Sequence, residues 1–117
     1  MIIGIGARKG VTEEEVLNGI KNALFEIGKN ITDIEKIASA KMKENEGGLI
    51  DAANILGIEI IFIPHKILNQ MDAPSKSKAE QFGLKGVAEP AALAISKKKE
   101  LIMKKKAYGR ITIAIAK

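Results

Sequence analysis

Arg8 and Lys9, carried on a glycine loop that runs into a helix, are the side chains best placed to do chemistry in this chain. Residues 2–15 read as a short apolar strand, the loop, and a well-started helix. Thr12 is a good N-cap, Glu15 falls three residues later to close a capping box, and Val11 and Val16 can form a hydrophobic staple. Gly6 and Gly10 allow backbone angles that other residues resist and let a ligand approach. A helix N-terminus offers unpaired N–H groups and partial positive charge, to which Arg8 and Lys9 add two full charges. That chemistry suits an anionic ligand bearing carboxylates or phosphates. Gly6, Arg8, Lys9, Gly10 and Thr12 are therefore the expected ligand-binding residues.

The loop is not a dinucleotide fingerprint. Gly4, Gly6 and Gly10 are spaced G-x-G-x-x-x-G, one residue too long, and no acidic residue follows a second strand to hold a ribose. A plain glycine turn with two solvated cations is the competing reading.

Glu89, between an apolar turn and Pro90 at the entry of an Ala-rich helix, is a candidate general acid or base, although capping alone would explain a carboxylate there. His65 directly follows an apolar strand, where catalytic groups often stand, and is the second candidate. Lys104 is a candidate ligand contact on a strand whose turn could aim it at the binding edge. Lys97, Lys98 and Lys99 read as a solvated helix end. Lys104, Lys105 and Lys106 on one strand alternate faces and cannot form a single patch.

Composition narrows the chemistry. The absence of cysteine removes disulfides, thiolate metal sites and cysteine nucleophiles, and fits a cytoplasmic setting. His65 is the only histidine, so no histidine metal site or Ser-His-Asp triad is expected, and any metal would arrive inside a bound ligand. A net charge of +5 raises nucleic acid as a partner, but three Phe and one Tyr supply few stacking platforms. No apolar run approaches the roughly 18 residues of a membrane helix. Arg8 and Arg110 are the only arginines among nineteen cations, and arginine's planar fork suits bidentate carboxylate recognition.

The elements that must position these residues alternate strand and helix. Val16, Ile20, Ala23, Leu24 and Ile27 form a helical stripe ended by Gly28. Residues 36–43 read as a second strand, and residues 49–56 as a helix stopped by Gly57. Residues 58–63 form a near-continuous apolar run closed by Pro64, expected as a central strand covered on both faces. A short helix over 65–71, a turn at 72–75, a helix from Ser75 through Phe82 and another opening at Pro90 follow. Residues 101–106 and 110–116 read as a hairpin, with Ile111, Ile113 and Ile115 on one face. The chain is therefore expected to be a single α/β domain over 1–117, a three-layer α/β/α sandwich with a mixed β-sheet and a C-terminal hairpin. Ligands in such sheets sit outside the carboxyl ends of the parallel strands, which would gather Arg8, Lys9, the 43–48 loop and His65.

Three segments, residues 4–10, 86–93 and 101–116, together resemble the CbiG C-terminal domain and the stand-alone CobE proteins of cobalamin biosynthesis. The resemblance implies the same three-layer fold and work on a corrin-ring intermediate. In that family the CbiG enzyme opens the δ-lactone of cobalt-precorrin-5A and releases acetaldehyde. It implies no cofactor of the chain's own, with cobalt carried inside the substrate, and a separately supplied CbiG N-terminal region as partner. The chain departs from the family at Ala7, a position often held by cysteine, so no thiol chemistry transfers there. The alternative reading is a non-catalytic basic module that binds nucleic acid or another polyanion.

Overall fold

A computed structural model describes residues 1–73 and 86–117. The expected turn at 72–75 is described only as far as Ala73, and the expected helix from Ser75 through Phe82 lies outside the described residues.

Among the described residues five strands form one sheet: β1 (Ile2–Ala7), β2 (Lys36–Ala40), β3 (Ile60–Ile63), β4 (Leu101–Tyr108) and β5 (Ile111–Ala116), in the order β3-β2-β1-β5-β4. The first three run parallel, while β5 pairs antiparallel with both β1 and β4, so the sheet is mixed as expected. Helices α1 (Glu13–Ile27) and α2 (Gly47–Leu56) cover one face. The other carries α3 (His65–Gln70) and α4 (Ala88–Ile95).

The alternation of β5 decides the layers. Ile111, Ile113 and Ile115 point into the core beneath α1 and α2, while Ala116 joins Ala91, Ala92 and Leu93 on the opposite face. Small residues on that second face let α4 lie close to the sheet. Gly4 is the extreme case: a Cβ there would stand 2.0 Å from the carbonyl oxygen of Ala88, so only glycine fits under this helix.

Three details depart from expectation. The apolar run ending at Ile63 forms β3 at the sheet edge rather than the centre, with only Ile63 of its four residues fully buried. Apolar residues on both faces report coverage by helices above and below, not the number of neighbouring strands. The second strand stops at Ala40, and residues 41–43 turn into a short 3₁₀ helix. The hairpin turn moves from 107–109 to Gly109 and Arg110, with Gly109 at φ 63°.

Candidate functional site

The carboxyl ends of β1, β2 and β3 open onto residues 8–12, 41–46 and 64–65. With strands about 4.8 Å apart, these loops stand side by side over about 10 Å. Helices α1 and α2 start at this end of the sheet, and α4 enters close by, with Val87 lying over Gly6.

The glycine loop is held from several sides. Thr12 caps α1 by accepting the Glu15 amide N–H at 3.1 Å, and the Glu15 carboxylate returns the bond by accepting from the Thr12 amide at 3.2 Å. Arg110, from the β4–β5 turn, donates through Nε to Glu15 at 2.8 Å, through a terminal nitrogen to the other Glu15 oxygen, and to the Gly10 carbonyl at 3.1 Å. The Arg110 bond and the Thr12 amide draw the Glu15 carboxyl down from 4.5 to about 2, and Glu15 in turn holds the guanidinium's pKa above its ordinary value. Glu46, at the start of α2, accepts the Gly10 amide N–H at 3.1 and 3.4 Å. Gly10 itself has φ 83°, the left-handed region glycine adopts without strain.

Each expected residue can now be placed. Gly6 lies in β1, paired with Thr112, and its φ is not positive; the loop's special backbone angle is used at Gly10. Thr12 has its side chain committed to the cap. Arg8 and Lys9 are exposed, and neither side chain makes an ion pair among the described residues. His65 opens α3 behind β3, two strands from the glycine loop, and its Nδ1 is buried with no hydrogen-bond partner among the described residues.

Glu89 sits in the first turn of α4 at 1% exposure, with one carboxylate oxygen accepting the Lys105 amide N–H at 2.9 Å. Lys105 falls in the irregular stretch of β4 between Met103 and Lys106, where the register shifts, so Glu89 takes up a strand amide at a bulge. Lys104 is not gathered with the loop. It stands midway along β4, two strands from β1, beside a groove that it lines with Asp72, Leu93, Lys99, Leu101 and Ile102. Lys99 donates to the Leu93 and Ala94 carbonyls and so terminates α4, a capping role that its position in a lysine run did not reveal.

Sequence reasoning expected the 43–48 loop at this edge but did not single out Glu46. It lies in a polar stretch with no motif, and only the packing of α2 against the α1 start brings it to Gly10. Gly48 marks that packing, because a Cβ there would meet the Val11 carbonyl oxygen at 2.2 Å. Among the described residues no group of acidic or histidine side chains is arranged to hold a metal ion, and no helix is long and apolar enough to cross a membrane.

The family described as Cobalamin synthesis G C-terminus matches residues 1–116. The chain belongs to this family. A cobalt-precorrin-5A hydrolase from Priestia megaterium is 29% identical over 99% of this chain and 32% of its own length. A probable cobalt-precorrin-5A hydrolase from Methanocaldococcus jannaschii is 28% identical over 97% of this chain and 39% of its own. The chain thus spans about a third of the length of these curated relatives. The crystal structure of CobE, a protein from the cobalamin (vitamin B12) biosynthetic pathway, superposes with a TM-score of 0.83 at 29% identity. It covers 97% of this chain and 86% of that one. The chain is a cobalamin biosynthesis protein related to cobalt-precorrin-5A hydrolase.

Proposed function

We propose that the chain binds a corrin-ring intermediate by its peripheral carboxylates and assists opening of the δ-lactone of cobalt-precorrin-5A with release of acetaldehyde. The observation that carries this reading is the pair of exposed cations Arg8 and Lys9, without an ion pair among the described residues, on a loop pinned by Arg110 and leading into a capped helix. Such a loop is preorganised, so little freedom is lost when a carboxylate docks. The family and its hydrolase relatives supply the substrate class.

Lactone opening adds water across the ester, which requires a base at the water and N–H donors for the developing oxyanion. The backbone amides of Lys9, Val11 and Glu13 are the donors in this reading, those of Arg8, Gly10 and Thr12 being engaged by Arg110, Glu46 and Glu15. His65, at this end of the sheet and with no hydrogen-bond partner for Nδ1 among the described residues, is the first base candidate, and Glu89 is the weaker one because a carboxylate oxygen is engaged by Lys105. Cobalt, where present, travels in the substrate, and the remainder of the active site comes from a CbiG N-terminal region.

Absorbance titration with a corrin at rising ionic strength tests the reading. Saturable binding with a shallow salt dependence is expected for a few preorganised contacts. A steep collapse with salt, matched by binding of duplex DNA, supports the basic-module alternative instead.

A further inference from the structure

We propose that Glu46 is a built-in competitor for the ligand's carboxylate and thereby selects polycarboxylates over simple anions. The inference rests on the ligand site just described and concerns which ligands can enter it. The Gly10 amide N–H, the loop donor between the exposed cations and the α1 cap, is turned to the Glu46 carboxylate and reaches both oxygens, at 3.1 and 3.4 Å. Glu46 occupies the N-cap position of α2 but makes no side-chain cap bond to that helix. Its described hydrogen bonds are thus spent on the loop.

The loop does not depend on that bond for its shape. Arg110 holds the Gly10 carbonyl, the Arg8 amide donates to the Arg110 carbonyl at 3.1 Å, and the Thr12–Glu15 box fixes the helix start. Displacing Glu46 therefore frees one N–H within an otherwise intact cradle. Arg110, which attracts Glu46 at longer range, would attract an incoming carboxylate equally.

Selectivity follows from the tether. A side chain fixed beside its donor competes at an effective concentration on the order of millimolar or more. A monocarboxylate that replaces it gains one bond, loses one, and also gives up translational freedom. A flat ligand with several carboxylates replaces Glu46 with one group and engages Arg8 and Lys9 with others, so only this class gains on exchange.

Amide NMR of the full chain tests this with two probes, acetate and an octacarboxylate porphyrin. In the parent, the porphyrin should shift the residue 8–12 amides saturably, while acetate at about 10 mM should leave Gly10 unmoved. In Glu46→Ala, the porphyrin should bind about three- to tenfold more tightly and acetate should now titrate Gly10. Glu46→Gln keeps the shape without the charge and should move the same way to a smaller extent, which covers an alanine variant that folds poorly. Equal or weaker porphyrin binding by the variants, with the 8–12 amides still responding, makes Glu46 a structural latch and overturns the inference alone. No response of those amides in any of the proteins overturns the ligand site and the inference together.

Discussion

The two arginines of the chain are used in opposite ways. Arg110 meets the expectation of a bidentate carboxylate partner, but the carboxylate is Glu15 of its own chain, whereas Arg8 is exposed and makes no ion pair among the described residues. Because Arg110 is the leading cause of Glu15's low pKa, Arg110→Ala should return the Glu15 carboxyl from about 2 toward 4.5, read by carbon NMR titration. A depressed carboxylate stabilises the fold above its unfolded pKa and loses that contribution as pH falls from 4.5 through 2. The variant should show a narrower window of acid sensitivity, because the Thr12 bonds to Glu15 remain, and parallel acid melts of both proteins check it. Arg8→Ala, in contrast, should leave thermal stability unchanged and weaken corrinoid binding by about 1.5–3 kcal/mol, as for a lost charge-assisted hydrogen bond. Titration of the two proteins side by side separates these roles. Glu89 invites the same dissection. Glu89→Ala removes the acceptor of a strand amide and should destabilise by about 1–3 kcal/mol in urea, while Glu89→Gln, which keeps an acceptor, should not.

At the level of elements, local signals were legible wherever a cap or a turn residue marked them. Helix α1 runs from Glu13 to Ile27 with the Thr12–Glu15 box and a left-handed Gly28, each readable in the chain. Gly57 closes α2 in the same way. Illegible were features set by distant partners. The edge position of β3 depends on which strands pair, and hydropathy along one strand carries no record of that. The bulged register of β4 breaks the simple alternation read from its lysines, and the bulge is accommodated by Glu89 sixteen residues away. Gly4 shows how strongly the layers constrain one another. Gly4→Ala would drive a methyl group into the Ala88 carbonyl, and the expected loss is about 3 kcal/mol or more. A midpoint in urea matching the parent would mean that α4 can lift from the sheet, contrary to the packing described.

For the molecule as a whole, the sheet places the glycine loop, the 41–46 turn and His65 at one end, while Lys104 and the groove beside it belong to the far edge strand. That arrangement is rich in means of holding an anion and poor in means of cleaving an ester. Arg8, Lys9 and the amides of the loop can bind carboxylates and support an oxyanion, but the acid–base side rests on His65 and on a Glu89 already engaged with β4. The curated relatives, about three times as long, have ample chain to supply what is lacking. We therefore expect these 117 residues to bind corrinoid yet release acetaldehyde from cobalt-precorrin-5A only slowly, with the rate restored when the N-terminal region of such a relative is added in trans. An acetaldehyde assay with and without that region decides the matter. Full-rate release by the 117 residues alone would place the whole reaction at this end of the sheet. His65→Ala and Glu89→Gln would then be the variants to show which group serves as the base.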